Sequence, residues 1–307
     1  MFHGSITALI TPFRNGAVDW DALDGLIDFQ IDQGSHGIVA CGTTGESPTL
    51  STEEHHSIVR RCVERVKRRI PVIAGTGTNS TASTIEMTLH AQETGASAAL
   101  IVTPYYNKPT QDGLYAHYKA VHDATNIPIL IYNIPGRCVI DMNVDTMSAL
   151  AALPRIVGVK DATGDLGRPA ALRNRVGPDF CQLSGNDDSA LAFLAAGGHG
   201  CISVISNVAP ALCAQMQDAW IKGAGRPKEA EALRDRMAPL NKALFMESSP
   251  APIKYACARA GFCSDEMRLP LLPASAKARQ VVDEAMAFAG LSGQQNGEKS
   301  RLQGTIS

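Results

Sequence analysis

The sequence predicts an α/β fold, a (β/α)8 barrel of the TIM type with a C-terminal helical extension. Eight short apolar runs rich in Val, Ile and Ala recur along the chain, and each is too short for a helix. Their apolarity is continuous rather than alternating, as in parallel strands that helices cover on both faces. Helical patterns lie between the runs. Eight strand and helix units favour a closed barrel, with an open doubly wound sheet as the structural alternative.

The predicted strands and helix ends follow in chain order. The strands are ITALI around Ile6, GIVAC around Val39, PVIAG around Val72, AALIVT around Ile101, IPILIY around Ile129, RIVGVK around Val157, FCQLS around Leu183 and GCISVI around Ser203. Asp19 opens an amphipathic helix that ends near Gly34, and Ser51 with Glu54 forms a capping box for the next one. Further expected N-caps and C-terminal glycines are Asn79, Asn143, Gly95 and Gly177.

Three segments are expected in the chain. Residues 1–225 form the barrel, with the active site at the carboxyl ends of its strands. Residues 226–292 form the helical extension, with apolar positions at helical spacing that serve packing or oligomerisation. Residues 293–307 are polar and contain glycine, which predicts a mobile tail.

Composition narrows the class of function. The 28 Lys plus Arg residues nearly balance the 30 Asp plus Glu residues, so the charge offers no general attraction to nucleic acid or to a membrane surface. The eight cysteines occur without a C-x-x-C pair, which argues against a metal site and for reduced thiols. No dinucleotide or phosphate-binding fingerprint is present, so no cofactor is expected. The N-terminus does not resemble a secretory signal, and we expect a cytoplasmic protein.

Lys160 is the sharpest candidate for chemistry. It closes the apolar run Ile156–Val159, at the point where a strand opens into the mouth of the barrel. Desolvation there favours the neutral amine, which can attack a carbonyl and form a Schiff base. Alternatively, Lys160 lies just outside the strand and extends to solvent, or pairs with Asp161.

Other candidates end neighbouring strands. Tyr132 closes the run Ile127–Ile131, and its hydroxyl could move protons near an imine or serve only packing. Thr43 and Thr44 lie in a Gly-Thr-Thr-Gly turn that could bind a carboxylate or could simply start the next helix. Arg137 could pair with a substrate carboxylate or remain solvated at the surface. Hydroxyl-rich strand ends suit a small polar organic substrate.

Five motifs in consistent order resemble one family. They are Gly42-Thr43-Thr44-Gly45-Glu46-Ser47, Val72-Ile73-Ala74-Gly75-Thr76-Gly77, Val102-Thr103-Pro104-Tyr105-Tyr106-Asn107, Tyr132-Asn133-Ile134-Pro135 and Gly158-Val159-Lys160-Asp161-Ala162-Thr163-Gly164. From about Phe2 to Leu291 the chain resembles the dihydrodipicolinate synthase family of pyruvate-dependent class I aldolases, which includes N-acetylneuraminate lyase.

The resemblance implies a role for each matched residue. It implies that Lys160 forms the imine with pyruvate, that Tyr132 moves protons, and that Thr43 links Tyr132 to Tyr106 of a neighbouring subunit. A homo-oligomer, a dimer of dimers, is therefore implied. The residues implied to bind substrate are Thr44 for the pyruvate carboxylate, Gly185 and Ile202 through their backbone, and Arg137 for the carboxylate of the second substrate.

The implied reaction is condensation of pyruvate with L-aspartate 4-semialdehyde in lysine biosynthesis. Arg137 favours this acceptor over the sugar acids of related lyases and aldolases, which are the alternative. Cys138-Val139 and Asn186 depart from the family pattern near the second-substrate site.

An allosteric lysine site is also implied. Its residues here would include Ser47, His55, Asn79 and Tyr105. Ser83 and Thr52 replace the Glu and His that lysine-sensitive members commonly have, and we expect weak or absent feedback inhibition.

Overall fold

Eight parallel strands close into a barrel in the computed structural model, which describes residues 2–221 and 226–291. The strands are β1 (Gly4–Ala8), β2 (Phe13–Arg14), β3 (Ala17–Val18), β4 (Gly37–Ala40), β5 (Val72–Gly75), β6 (Ala98–Val102), β7 (Ile129–Asn133), β8 (Ile156–Asp161), β9 (Cys181–Ser184) and β10 (Gly200–Ser203). The barrel order is β1-β10-β9-β8-β7-β6-β5-β4. Each barrel strand overlaps one predicted apolar run, so the predicted (β/α)8 fold is confirmed.

Strands β2 and β3 form an antiparallel hairpin that was not among the predicted strands. Asn15 and Gly16 connect them, both with positive φ (55° and 81°). This is the backbone conformation that an Asn-Gly pair adopts in a tight hairpin turn. The dipeptide was a usable signal, but each of the two strands is only two residues long.

Helices surround the barrel and continue beyond it. They are α1 (Trp20–Asp32), α2 (Thr52–Val66), α3 (Thr81–Thr94), α4 (Gln111–Ala124), α5 (Pro135–Cys138), α6 (Val144–Ala151), α7 (Arg168–Val176), α8 (Ala190–Ala195), α9 (Pro210–Ile221), α10 (Pro227–Leu244), α11 (Ala251–Arg259) and α12 (Ala276–Phe288). Two single 3₁₀ turns lie at Ser47–Thr49 and Ile205–Asn207.

Helix caps agree with the sequence at most positions. The Ser51 hydroxyl accepts from the backbone N–H of Glu54 at 3.1 Å, and the Glu54 carboxylate accepts from the Ser51 N–H at 2.9 Å, so the capping box is confirmed. The other confirmed N-caps are Asp19 of α1 and Asn143 of α6. Asn79 was a wrong prediction, because the adjacent Ser80 caps α3 through the N–H of Ser83. Asn and Ser both favour the N-cap position, so the residue types alone do not show at which of the two neighbouring positions the helix begins.

The core has two layers, one inside the barrel and one between the barrel and its helices. The inner layer contains residues from the barrel strands, among them Ile6, Val39, Ile73, Leu100, Tyr132, Leu183 and Ile202. In the extension, Met237, Leu240 and Leu244 of α10 are buried, whereas Phe245 is 47% exposed because the helix ends before it. Residue 225, where the barrel was predicted to end, and the predicted tail at 293–307 lie outside the described residues.

Candidate active site

Lys160 and Tyr132 lie side by side at the carboxyl edge of the barrel. They are register partners in the neighbouring strands β8 and β7, so their side chains leave the sheet on the same side. Each residue is 6% exposed. The Lys160 Nζ atom lies 4.1 Å from the centroid of the Tyr132 ring. The strands thus bring the predicted amine and the predicted phenol into one site.

The neighbouring carboxylate of Asp161 belongs to a different set of contacts. Its Oδ2 atom accepts a hydrogen bond from Arg168 Nε at 2.8 Å, and its Oδ1 atom accepts one from the Thr163 N–H at 2.9 Å. Lys160 is inside strand β8 rather than beyond its end. The alternative in which Lys160 reaches solvent or pairs with Asp161 therefore does not describe this structure.

Gly185 lies directly against the stem of Lys160. A Cβ atom at this position would stand 2.7 Å from the Ala162 Cβ and 3.1 Å from the Lys160 Cε, so only glycine leaves the lysine its place. The Gly185 N–H donates to the Asp161 carbonyl at 2.7 Å. Ile202 is 1% exposed and belongs to the inner layer of the barrel. Gly185 thus contacts Lys160, and Ile202 lies inside the barrel.

The Thr43–Thr44 turn follows strand β4 and is closed by backbone hydrogen bonds. The Glu46 N–H donates to the Thr43 carbonyl at 3.1 Å, and the Thr11 hydroxyl donates to the Gly45 carbonyl at 2.7 Å. Thr44 is 5% exposed, and Thr43 lines the same cavity as Tyr132. The turn leads toward the next helix, which was the alternative to a binding role. It also faces the cavity through Thr43.

A cavity of about 390 Å³ opens above Tyr132. Arg137 and Cys138 line it from the short helix α5, and the Arg137 guanidinium donates to the Ser249 carbonyl at 3.0 Å. Arg137 is exposed. This volume suits a small organic molecule, and a guanidinium at its wall suits one that carries a carboxylate.

The cavity continues toward helix α2. Ser47, His55 and Tyr105 line it there, while Asn79 is not among its lining residues. The His55 Nε2 atom donates to the Gly75 carbonyl at 2.7 Å. Burial lowers the pKa of His55 to about 4, so the ring is neutral near pH 7. Three of the four residues predicted for a lysine site therefore adjoin the cavity that Tyr132 also lines.

Tyr106 is placed apart from this group. It is 90% exposed, it has a positive φ of 72°, and it is not among the residues that line the cavity. A positive φ is uncommon for a bulky residue, and a large aromatic side chain is seldom so exposed. Together these two features favour a surface that another molecule covers.

Residues that sequence reasoning did not assign also support the site. Asp187 is partly buried, its carboxylate accepts from the Val204 N–H at 2.7 Å and from the Ile205 N–H at 3.2 Å, and desolvation raises its pKa. Lys254 and Glu46 form a fully buried ion pair. Lys254 follows Ile253 in a stretch of small and apolar residues, the same signal that singled out Lys160. Ser249 carried no such signal.

Across residues 2–221 and 226–291, no group of three or more His, Cys, Asp and Glu side chains is arranged to hold a metal ion. Over those ranges no helix combines the length and apolarity that a membrane crossing requires.

Comparison with known proteins gives a consistent result. The model of the dihydrodipicolinate synthetase family matches residues 1–288. Curated relatives named 4-hydroxy-tetrahydrodipicolinate synthase include one from Rhodospirillum centenum, 60% identical over 95% of this chain and 99% of that protein. Another, from Parvibaculum lavamentivorans, is 55% identical over the same shares of each chain. The crystal structure of chloride-inhibited dihydrodipicolinate synthase from Acinetobacter baumannii complexed with pyruvate aligns with a TM-score of 0.92 at 43% identity, covering 95% of this chain and 100% of that one. This chain belongs to the dihydrodipicolinate synthetase family.

Proposed function

We propose that this chain catalyses the Schiff-base condensation of pyruvate with L-aspartate 4-semialdehyde to give 4-hydroxy-tetrahydrodipicolinate, the committed step of diaminopimelate and lysine biosynthesis. The observation that carries the proposal is the buried amine of Lys160 beside the Tyr132 ring, next to a cavity that Arg137 lines. The shared name of the curated relatives and the pyruvate complex of the related crystal structure support it.

The first half of the reaction takes place at Lys160. Its Nζ atom attacks the ketone carbon of pyruvate, the carbinolamine loses water, and an imine forms. Loss of a proton from the methyl carbon converts the imine to the enamine. Tyr132, in contact with Lys160, is our candidate to accept and return these protons.

The second half joins the two substrates. The enamine carbon adds to the aldehyde carbon, and the new alkoxide takes up a proton. The amino group of the second substrate then attacks the imine carbon and displaces Lys160, which closes the ring and frees the amine for another cycle.

The carboxylates of the substrates need fixed donors. The Thr44 turn, with its hydroxyl and backbone N–H groups, is our candidate for the pyruvate carboxylate, with Gly185 and Ile202 shaping the pocket beside Lys160. Arg137 is our candidate for the carboxylate of the semialdehyde, because its guanidinium lines the same cavity as Tyr132.

A second subunit completes the site in this proposal. Tyr106 is too exposed to join Thr43 and Tyr132 of its own chain, and an exposed tyrosine suits a surface that a second copy covers. We propose a homodimer in which Tyr106 of one chain reaches the Thr43 and Tyr132 hydroxyls of the other, and a tetramer built from two such dimers.

Borohydride trapping tests the covalent step. Incubation with pyruvate and borohydride should add a reduced pyruvyl group at Lys160, and Lys160→Ala should abolish the adduct while the protein stays folded. Coupled turnover with the semialdehyde, compared with sugar aldehydes, tests the acceptor. A label on Lys254, or faster turnover with a sugar aldehyde, would contradict the proposal.

A further inference from the structure

A buried ion pair joins the C-terminal helices to the turn that carries Thr43 and Thr44. Lys254 of α11 donates to the carboxylate of Glu46, which directly follows this turn. Neither side chain has any exposed surface, and the two residues are 208 positions apart in the sequence. A contact of this kind constrains the turn from outside the barrel.

Both partners of the pair are held by additional contacts. The Lys254 Nζ atom also donates to the Glu266 carbonyl at 2.9 Å and lies 4.1 Å from the centroid of the Phe13 ring. The second carboxylate oxygen of Glu46 accepts from the Arg268 N–H at 3.2 Å. Both oxygens of the Glu46 carboxylate therefore accept hydrogen bonds from the C-terminal segment, one from Lys254 and one from the Arg268 N–H.

The backbone of Glu46 transmits this constraint to the turn. Its φ of 54° lies in the left-handed region, which a glutamate keeps only where its surroundings hold it. Its N–H donates to the Thr43 carbonyl at 3.1 Å, and its carbonyl accepts from the Thr49 N–H at 3.0 Å. A single backbone hydrogen bond thus joins Glu46 to Thr43.

We propose that Glu46 and Lys254 are positioning residues for the reaction, an inference that rests on the proposed function. Strand pairing places Lys160 and Tyr132 relative to each other, but Thr43 lies beyond the end of β4, where no strand register holds it. The ion pair holds this turn against the cavity. The C-terminal extension thereby contributes to the geometry of the site through Lys254.

Four variants test the proposal. Glu46→Gln and Lys254→Met each keep the approximate size of the side chain and break the pair. We expect kcat to fall about tenfold or more and KM for pyruvate to rise, because a small displacement of a catalytic hydroxyl is enough to slow the reaction. Met237→Ala is the matched control, because it removes a buried side chain of α10 and leaves a cavity in the core. It should lower the thermal midpoint and leave kcat within about twofold. All rates are measured where circular dichroism shows full folding.

The fourth variant separates positioning from stability. Glu46→Gln with Lys254→Met leaves no unpaired buried charge, so its thermal midpoint should recover relative to the single variants. Its kcat should stay reduced. Recovery of kcat together with the midpoint, or folded single variants with unchanged kinetics, would overturn the positioning role. Pyruvate trapping by the unmodified chain decides the proposed function separately, because it does not involve this pair.

Discussion

The two buried lysines among the described residues have different surroundings. Lys254 is tied to the Glu46 carboxylate and the Glu266 carbonyl, whereas the Lys160 amine lies over the Tyr132 ring. Two oxygen acceptors hold the Lys254 amine in place, so it is not free to approach a carbonyl. Lys160 is therefore our candidate for imine formation.

Arg137 is expected to bind the second substrate. Arg137→Ala should raise KM for the semialdehyde by about ten- to a hundredfold, the loss of about 1.5–3 kcal/mol for a charge-assisted bond, and leave pyruvate trapping unchanged. Initial-rate kinetics with each substrate varied measure this. The matched control is Arg236→Ala, because Arg236 likewise donates to a backbone carbonyl, that of Ala289, at 2.8 Å. Unaltered semialdehyde kinetics in Arg137→Ala would favour a sugar-acid acceptor instead.

At the scale of elements, the connection from β4 to α2 serves two regions of one cavity. It begins with Thr43 and Thr44, passes through the turn Ser47–Thr49 and ends in the helix that carries His55. Thr43, Ser47 and His55 all line the cavity. Any ligand bound near His55 is therefore one short segment away from the turn with the two threonines.

Lysine feedback should be weak in this chain. Ser83 is exposed in the first turn of α3, at the position where the family resemblance implies a carboxylate for a lysine ammonium group. We expect no half-inhibition at submillimolar lysine. Ser83→Glu should increase lysine affinity by about ten- to a hundredfold, since a charge-assisted bond contributes about 1.5–3 kcal/mol. Calorimetry and initial rates over a lysine titration measure both.

Ala82→Glu is the control for that experiment. It adds the same charge one position earlier on α3, at another exposed residue, and should leave lysine binding unchanged. Submillimolar half-inhibition of the unmodified chain would show that another acidic group serves the site.

At the scale of the whole molecule, buried histidines should make folding stability depend on pH. Burial lowers the pKa of His55 and of His117 to about 4. Unfolded histidines titrate near pH 6.5, so between pH 6.5 and 4 the unfolded chain binds more protons than the folded one. The stability that these two histidines contribute is therefore complete above about pH 6.5. It is lost as the pH falls from about 6.5 to about 4.

Urea unfolding at pH 7 and pH 5 measures the effect. Each of the two histidines should lower the free energy of unfolding by about 2 kcal/mol at pH 5 relative to pH 7. His117→Gln should remove about half of their joint contribution, and His117 is the better choice because it does not line the cavity. An unchanged difference between the two pH values in His117→Gln would contradict this account.

The assembly itself can be tested by complementation between subunits. Lys160→Ala and Tyr106→Phe should each have low turnover alone. When the two variants are coexpressed in equal amounts, about half of the dimers are mixed. One of the two sites in a mixed dimer has an intact Lys160 and an intact Tyr106 from the other chain, so about a quarter of the unmodified turnover should return. Coupled assays on the copurified protein measure this. No recovery beyond the separate variants would mean that Tyr106 acts in its own subunit or not at all.

The barrel and its central residues were readable from sequence because their signals are local. A run such as Ile156–Val159 forms a strand wherever it packs, and a barrel brings all strand ends to one face. Lys160 and Tyr132 therefore could be placed together before any contact was known. The resemblance of the motifs added the reaction.

Only the tertiary structure decided which distant residues support the site. Lys254 and Ser249 reach Glu46 and Arg137 because the C-terminal helices fold back against the barrel. Nothing in the pattern around residue 254 specifies a partner at residue 46, since helix packing, not local propensity, brings them together. The exposure of Tyr106 also depends on the fold, because sequence alone does not show whether an aromatic side chain is covered by its own chain.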